Sequence, residues 1–307
     1  MTTQTMAEMS KHIADDITRG VAEDIITVNQ LYNVLPFVAY SGDGVITNRE
    51  NVLGDVQMLG IGDNITAKAA ASYGQSTFTA TKIIGDAHMD GLVQAQSDAG
   101  GVDAAALEIS SKAKSVAEQF MDQITNGSGT GNDMNSLHTL VDASMYTPAS
   151  AGQALSFDLL DELLDLIKGG ADFIVMSRRT RRAYKALLRS AGGNTADDMV
   201  TLQNGEQVLG YNGIPVFVND NQSVTETANG AALTGGALTS VYAGKFDDGS
   251  RKRGLAAIYP KSVPGGVQVE PIGAAEGKDE SIWRVKQYTN LALFNRRSLA
   301  RLTSINN

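Results

Sequence analysis

The stretch from residue 45 to residue 84 restricts the possible folds of this chain more than any other feature of the sequence. Between Thr66 and Lys82 it is rich in Ala, Ser and Thr, and its only large apolar side chains are Tyr73 and Phe78. So few apolar groups cannot form a core. The segment TFTATKII alternates like a strand. Because an isolated hairpin is marginally stable in water, the pattern predicts a long hairpin that lies against a neighbouring surface. A flexible surface loop is the alternative.

The rest of the chain has the composition of a folded protein. Of its 307 residues, 42% are hydrophobic, which suffices for one large core or several smaller ones. No apolar run reaches the roughly eighteen residues of a membrane span. The start MTTQTMAEMSKHIADD lacks the basic and apolar regions of a secretory signal. We therefore expect no contact with a membrane and a protein that stays in the compartment where it is made.

Cysteine and histidine usage limits the chemistry of the chain. There is no cysteine, which excludes disulfides and thiolate metal sites. The three histidines, His12, His88 and His138, are too scattered to form a helical ligand pair. We expect no metal and no cofactor, and stability that comes from packing or from subunit association.

The N-terminal region predicts an amphipathic helix that ends at Pro36. Apolar residues recur at spacings of four and three, which is typical of a helix with one apolar stripe. The opposite face is net acidic, so it favours docking on another protein surface over docking on anionic lipid. An ordinary core-facing helix fits the same pattern. The apolar stripe consists of Ile13, Ile17, Val21, Ile25, Val28, Tyr32 and Leu35.

A long helix is predicted from Asp103, as its N-cap, to Thr125. Its sequence contains no Gly or Pro, and it would span roughly 34 Å at 1.5 Å per residue. The cluster NGSGTGND that follows, residues 126 to 133, lacks the Lys-Ser/Thr pair of a phosphate-binding loop and the spacing of a dinucleotide fingerprint. It therefore predicts a helix end, with Gly127 just past it. One face of the helix carries Ile109, Ala113, Val116, Phe120 and Ile124.

A helix, a strand and a second helix are predicted next. Ser156 caps the first helix, Leu155 and Leu160 occupy the hydrophobic-staple positions, and Gly169 stops it. Phe173 to Met176 is a short apolar strand. The second helix is SRRTRRAYKALLR, residues 177 to 189. Together these elements indicate a compact mixed α/β unit.

Most of the remaining sequence predicts strands. Two short strands meet at Asn204-Gly205 and a third follows Asn212-Gly213, since both dipeptides favour tight turns. The tail segments GLAAIYP, GGVQVEP and SIWRVKQYTNLALFN are rich in β-forming residues. One side of the last ribbon carries Trp283, Val285, Leu291 and Leu293, and Leu299, Leu302 and Ile305 close the chain.

The helix at 177 to 189 carries a basic stripe in a chain whose net charge is −9. A helical wheel places the stripe on one narrow face and Ala183 and Leu187 opposite it, so we expect the helix to pack by the latter side. No aromatic platform interleaves with the charges, because Tyr184 points elsewhere. The pattern favours ion pairing or a solvated face over nucleic-acid binding. The preceding helix carries acidic residues that a neighbouring subunit would repeat. The basic stripe consists of Arg178, Arg182, Lys185 and Arg189. The acidic stripe consists of Asp158, Asp161, Glu162 and Asp165.

No enzymatic constellation is recognisable in the sequence. PASAG, residues 148 to 152, has proline where a nucleophile elbow needs its first glycine. The acid pairs Asp197-Asp198 and Asp247-Asp248 are adjacent, so on a strand their side chains would face opposite ways. We expect no catalytic, cofactor-binding or metal-binding residues and a protein that is not an enzyme.

The order of these parts resembles the major capsid proteins of tailed double-stranded DNA phages, whose Hong Kong-type fold is shared with encapsulins. The resemblance covers nearly the whole chain and depends on five features in order rather than on one specific motif. They are VAEDIITVNQLYNVLPFV before a thin hairpin, a long helix ending FMDQITNGSGTGNDMNSLHTL, the block DELLDLIKGGADFIVMSRRTRRAYKALLR, the turn segment VLGYNGIPVFVND and the ending WRVKQYTNLALFNRRSLARLTSI.

The resemblance implies an α+β fold in four parts. An N-terminal arm comprises residues 1–38, and an extended β-hairpin loop comprises residues 46–84. A peripheral domain with the long spine helix comprises residues 39–45, 85–148 and 256–307. An axial α/β domain comprises residues 149–255.

The resemblance also implies a function, which is a shell that encloses a packaged genome. Copies of the chain would assemble as pentamers and hexamers of an icosahedral capsid in the host cytoplasm and remain in the virion. Implied partners are portal and scaffolding proteins, a possible decoration protein, and double-stranded DNA through weak non-specific contact. An encapsulin-like compartment is the alternative, and a soluble α/β enzyme or nucleic-acid binder is a more remote one.

Some capsid proteins of this kind are covalently cross-linked by an isopeptide bond between a loop lysine and an asparagine of a neighbouring subunit. Lys68 lies in the corresponding region. We expect no such bond here, because the reaction also needs a carboxylate positioned in an apolar pocket.

Overall fold

The computed structural model describes residues 30–99, 103–192, 199–202, 205, 207–263 and 265–306. Their secondary structure is mixed, as predicted, and none of their helices is long and apolar enough to cross a membrane. The helices are Gln30–Val34, Gly91–Ala99, Ala104–Asn126, Leu137–Leu140, Phe157–Asp165 and Arg178–Ser190. The strands are β1 (Phe37–Tyr40), β2 (Val45–Val52), β3 (Ser72–Phe78), β4 (Thr81–Asp90), β5 (Tyr146–Gln153), β6 (Phe173–Met176), β7 (Met199–Thr201), β8 (Gln207–Tyr211), β9 (Ile214–Val218), β10 (Thr239–Gly244), β11 (Leu255–Pro260), β12 (Gln268–Ala274), β13 (Glu280–Leu293) and β14 (Leu299–Ile305).

A seven-stranded sheet has the order β5-β14-β10-β6-β9-β8-β7. Its middle strand β6 is buried along its whole length, as the apolar run Phe173–Met176 predicted. The tight turn at Asn212-Gly213 joins β8 to β9, with φ of 50° and 78° at its two residues. Both values lie in the left-handed region that this class of hairpin turn requires. The pairing of β7 with β8 agrees with the other predicted hairpin, although Asn204 lies outside the described residues.

The last strand, β14, belongs to the seven-stranded sheet, where it pairs with β10 and β5. The resemblance implies that residues 256–307 form part of the peripheral domain, and this division stays a prediction. Every residue of β14 is buried. The chain therefore returns to the unit formed by residues 146–244. Strand pairing across this distance in sequence leaves no local signal, which is why the periodicity of the tail did not reveal it.

A second sheet is organised around the long strand β13. Ten residues of β13, from Glu280 to Thr289, pair with β4, and β12 pairs with the opposite edge of this stretch. β11 pairs with the last part of β13, Asn290 to Leu293. β1 extends the sheet by parallel pairing with β11. The predicted face of β13 is confirmed in its second half, where Val285, Leu291 and Leu293 are buried, whereas Trp283 is half-buried.

The spine helix, Ala104–Asn126, packs along this sheet. Asp103 is its N-cap, as predicted, and the carboxylate accepts a 3.0 Å hydrogen bond from the Ala106 N–H. Gly127 follows the helix end, also as predicted, but its φ of −57° is ordinary. Glycine is required there because an added Cβ would lie 2.4 Å from the Met134 carbonyl oxygen. The apolar face is buried at Val116, Phe120 and Ile124 and half-buried at Ile109 and Ala113.

The predicted N-terminal helix falls mainly outside the described residues. Its last part, Gln30–Val34, is helical and ends before Pro36, and Leu31 is buried. Tyr32 contacts Phe120 of the spine helix edge to face, with ring centroids 5.4 Å apart. This part of the chain is therefore tied to the spine helix through aromatic packing.

The helix Phe157–Asp165, which we call the acidic helix, begins as predicted but ends early. The Ser156 hydroxyl accepts a hydrogen bond from the Leu159 N–H, and both staple residues are buried. The helix ends at Asp165 and not at Gly169. Two tight turns follow, closed by hydrogen bonds from Ile167 to Leu164 and from Gly170 to Ile167. Gly169, with φ of 97°, lies in this turn region.

A buried ion pair links β14 to the loop before β10. The side chains of Arg301 and Glu226 are each 1% exposed, and Arg301 Nη2 lies 2.9 Å from Glu226 Oε2. Ser240 of β10 donates to the same carboxylate oxygen and accepts from Arg301 Nε. The guanidinium also lies 5.6 Å from the ring centre of Tyr242. These contacts hold the C-terminal strand in the seven-stranded sheet.

Replacing Glu226 with Gln should lower the free energy of unfolding by about 3 to 5 kcal/mol, because it leaves the Arg301 charge buried and unpaired. The exposed pair between Arg178 and Asp220 provides the control. Asp220→Asn should cost less than about 1 kcal/mol. Urea unfolding followed by circular dichroism, at one protein concentration and one assembly state, measures both. Equal small losses would contradict the structural role of the buried pair.

Candidate assembly surfaces

Most of the large apolar side chains left exposed by the described residues lie on the hairpin formed by β2, β3 and the segment between them. Val56, Met58 and Ile61 near its tip are 94%, 104% and 109% exposed. Exposed apolar groups concentrated in one place mark interaction surfaces. We call this set the hairpin apolar surface, and it consists of Ile46, Val52, Leu53, Val56, Met58, Leu59, Ile61, Ile65 and Tyr73.

The sequence alone did not single out most of these residues. Tyr73 and Phe78 were considered, and of these Tyr73 is exposed whereas Phe78 is buried at the base of the hairpin. The signal that was available is the segment VQMLGIGDNI, which carries five large apolar residues and belongs to neither of the paired strands. Apolar residues in a segment without a partner strand therefore indicate this surface in the sequence.

The segment between the strands is held together by its own hydrogen bonds. The Gln57 side-chain oxygen accepts from the Thr66 N–H at 2.9 Å and from the Thr66 hydroxyl at 2.8 Å. The Asp55 N–H donates to the Ala69 carbonyl at 3.0 Å. These bonds join the two sides of the tip, and β2 pairs with β3 below it. β2 and β3 therefore form a hairpin whose connecting segment is irregular but internally hydrogen-bonded, and Lys68 lies exposed on that segment.

The base of the hairpin is attached to the core of the protein. Arg49 of β2 donates a hydrogen bond to the Leu293 carbonyl, and its guanidinium lies 5.8 Å from the ring centre of Phe78. Burial, with a further contribution from the nearby Arg296, lowers the pKa of Arg49. The Asn290 amide donates to the Thr79 carbonyl at 2.6 Å. The hairpin is thus fixed at one end and extends its apolar tip away from its own chain.

The helix Arg178–Ser190, which we call the basic helix, packs by a different side from the one predicted. The buried residues are Thr180, Tyr184 and Leu188, whereas Ala183 and Leu187 are only half-buried. The Tyr184 hydroxyl donates a 2.8 Å hydrogen bond to the Gly210 carbonyl. The helical wheel placed Ala183 and Leu187 on the packed side, and this was wrong; the hydrogen bond satisfies the Tyr184 hydroxyl and so allows Tyr184 to enter the core.

The basic stripe remains on the outer side of its helix. Arg182 and Arg189 are exposed and Lys185 is half-buried, and none of these three has an ion-pair partner within the part of the chain that the structure describes. Arg178 differs, because its guanidinium makes two hydrogen bonds to the Asp220 carboxylate. Three of the four members are therefore available for contact with another molecule.

In the acidic stripe, as in the basic stripe, one member bonds to another side chain of its own chain, and the other three form no ion pair within the described residues. Asp158, Glu162 and Asp165 are exposed, and they too have no ion-pair partner among the residues described. Asp161 accepts a 2.6 Å hydrogen bond from the Tyr211 hydroxyl. Burial, followed by this hydrogen bond, raises the pKa of Tyr211. The proton therefore stays on Tyr211, and Asp161 is committed to an internal contact.

The histidines and acid pairs considered in the sequence do not form a common site in the described residues. His88 Nδ1 lies 3.5 Å from Glu280, and His138 is a separate, partly buried side chain whose pKa is lowered to about 4 by burial and by Arg301. No group of three potential metal ligands occurs within the described ranges. Asp247 accepts hydrogen bonds from the N–H groups of Gly249 and Arg251, so it shapes its own loop. His12 and Asp197-Asp198 lie outside the described residues, as do the side chains of Pro148 to Ala151 in PASAG.

Comparison with solved structures identifies the architecture. The chain matches the holo-SrpI encapsulin complex from Synechococcus elongatus PCC 7942 with a TM-score of 0.74 and 15% identity, over 99% of this chain and 96% of that one. The cyanophage A-1(L) capsid gives 0.66 and 12%, over 96% and 99%. The chain has the Hong Kong-type capsid fold. The capsid of a native GTA particle, computed with C5 symmetry, matches with a TM-score of 0.67 and 10% identity over 99% and 100% of the two chains.

These matches confirm the predicted fold class over nearly the whole chain. The matched proteins are described as capsids and an encapsulin rather than as enzymes. No protein-family model matches the sequence, and no curated protein matches it either. At 10% to 15% identity the likeness lies in the path of the chain and not in its residues.

Proposed function

We propose that this protein is the major capsid protein of a tailed double-stranded DNA phage and assembles into an icosahedral shell around the packaged genome. The observation that supports this most strongly is the hairpin apolar surface on a chain with a capsid fold. Burying one such side chain contributes about 1.5 to 3 kcal/mol. The hairpin gains this stabilisation only where another molecule covers it, and in a closed shell that molecule is a second copy of the chain.

The proposed domains are the four predicted parts, except that β14 and the start of β5 move from the peripheral domain to the axial domain. Residues 1–38 form the arm, and residues 46–84 the extended loop, although β4 already pairs with β13 from Thr81 onward. The spine helix and the sheet around β13 form the peripheral domain. The axial domain comprises residues 149–255 together with β5 and β14, because these strands lie in the seven-stranded sheet.

The proposed partners are chiefly other copies of the chain, as pentamers and hexamers. A capsid of this kind also contacts portal and scaffolding proteins and, in some phages, a decoration protein. Its contact with DNA is weak and non-specific, which agrees with a net charge of −9. The protein acts without enzymatic activity, is assembled in the host cytoplasm and remains in the virion.

An encapsulin-like compartment is the second candidate, and the structural match to an encapsulin supports it. Both proposals require a closed protein shell, so the shell itself does not separate them. Its contents do, because a capsid encloses DNA and a compartment encloses a cargo protein. The genes that flank the chain provide the same distinction, since terminase and portal genes accompany a capsid gene.

Electron micrographs of the purified protein test the proposal directly. We expect closed icosahedral particles, because a lattice of identical copies would cover the hairpin apolar surface. A fully ordered monomer in dilute solution, with the hairpin folded back on its own core, would be incompatible with either kind of shell.

Substituting Val56→Ser together with Ile61→Ser should impair assembly without unfolding the subunit. Both side chains are already exposed, so the free energy of unfolding should change by less than about 1 kcal/mol. The affinity between subunits should fall by at least about tenfold, because apolar burial is lost. Sedimentation measures the assembled fraction. The control is Leu92→Ser with Val269→Ser, which removes exposed apolar groups away from the hairpin. Wild-type assembly of the hairpin variant would contradict the proposed role of this surface.

Denaturing electrophoresis of purified particles tests whether Lys68 forms a covalent link. We expect a single band near 32.4 kDa. A ladder of covalent multimers that disappears in Lys68→Arg would show that the expectation is wrong and that the shell is cross-linked.

A further inference from the structure

The acidic helix and the basic helix are neighbours on the seven-stranded sheet. Phe157 at the start of the acidic helix contacts Tyr184 of the basic helix edge to face, with ring centroids 6.3 Å apart. Phe157 also stacks on Tyr211 of β8. The same subunit therefore presents a row of carboxylates and a row of cations on two adjoining helices.

The two rows do not neutralise each other within the subunit. No ion pair joins the two helices, both of which the structure describes in full. The acidic helix buries Leu159, Leu160 and Leu163. At about 100° per residue, Asp165 lies on the side of the helix opposite these leucines, and Glu162 lies on its flank, roughly 110° from their mean direction. Both carboxylates are exposed, so they remain accessible to another molecule.

A second copy of this chain fits both rows at once. We propose that the acidic stripe of one subunit contacts the basic stripe of the next, so that neighbouring axial domains associate head to tail. The proposal rests on the function proposed above, in which copies of the chain are the principal partners. The groups that meet are Glu162 and Asp165 on one side and Arg182, Lys185 and Arg189 on the other.

Head-to-tail contact has a geometric consequence. Because the two stripes are different surfaces of the molecule, each subunit uses one stripe for each of two neighbours. Such contacts generate rings when the rotation between subunits closes. Exposed charge pairs contribute little affinity individually, but they suppress wrong orientations and fix the register of an interface. The stripes thus determine the direction of assembly, while apolar surfaces supply most of the affinity.

DNA is a less suitable partner for the basic stripe than the acidic stripe of another subunit. Arg178 is already engaged by Asp220, and the exposed carboxylates of the adjoining helix repel a polyanion. Tyr184, the aromatic residue within the basic helix, is buried and offers no stacking surface. The charges around the stripe therefore favour an acidic protein surface.

Charge reversal of each stripe and of both together tests the proposal. Arg182→Glu with Lys185→Glu places two acidic stripes in contact, and Glu162→Lys with Asp165→Lys places two basic stripes in contact. Each variant should lower the assembled fraction roughly tenfold, through like-charge repulsion. The combined four-residue variant restores complementarity and keeps the net charge of −9, so it should assemble within about twofold of wild type. Electron micrographs and sedimentation measure assembly, and circular dichroism of the unassembled subunits verifies that each variant folds.

Mixing the two single-stripe variants adds an independent measurement. Alternation of the two variants satisfies every contact in a ring with an even number of subunits and leaves one mismatch in a ring with an odd number. The mixture should therefore assemble better than either variant alone and less completely than the combined variant. Lys252→Glu with Arg253→Glu changes the net charge equally at exposed positions outside the stripes and should assemble as wild type.

The outcomes separate this inference from the proposed function. Shells from the wild type, with no rescue in the combined variant or in the mixture, would overturn head-to-tail pairing while leaving the capsid function intact. Normal shells of Arg182→Glu with Lys185→Glu that retain DNA abnormally would also overturn it and assign the basic stripe to the genome. Disruption by the Lys252→Glu and Arg253→Glu control would show that net charge, rather than position, governs assembly. Absence of wild-type shells would instead count against the proposed function.

Discussion

The structure buries most of its apolar side chains but leaves many of those on one hairpin exposed to water. This exposed apolar surface is the constraint on which the other features depend. Two sheets and the spine helix bury their apolar residues within the chain, whereas the hairpin holds Val56, Met58 and Ile61 almost fully in water. Its base is fixed by Arg49 and Asn290, so the tip cannot simply collapse onto the nearest core. Such rigidly presented apolar groups gain stabilisation only when a second molecule covers them, as the proposed assembly would.

The seven-stranded sheet depends on a contact between parts of the chain that are far apart in sequence. β14 enters the sheet between β5 and β10, and the buried Arg301–Glu226 pair ties it to the loop before β10. A buried charge pair of this kind adds little net stability over an apolar core but penalises any arrangement that separates the two charges. The C-terminal strand thus connects the sheet around β13 to the seven-stranded sheet in one specific way.

The surfaces divide the work of recognition between two forces. In the proposed shell the hairpin apolar surface supplies affinity through burial, which is non-directional. In the same proposal the acidic and basic stripes supply orientation, because like charges in contact are unfavourable and opposite charges are not. Neither surface requires a catalytic residue. This division suits a protein whose proposed task is to place many copies of itself in fixed relative positions.

The sequence by itself determined the elements that depend on local physics. The N-caps Asp103 and Ser156, the turn at Asn212-Gly213, the strand Phe173–Met176 and the thin hairpin were all readable, because capping, turn geometry and periodicity act over a few residues. The tertiary structure alone decided that β14 joins the seven-stranded sheet, that Tyr184 faces the core and that Arg178 is paired with Asp220. Each of these depends on partners that are distant in sequence. Contacts between distant residues do not alter the hydrophobic periodicity of either segment, so the sequence pattern does not reveal them.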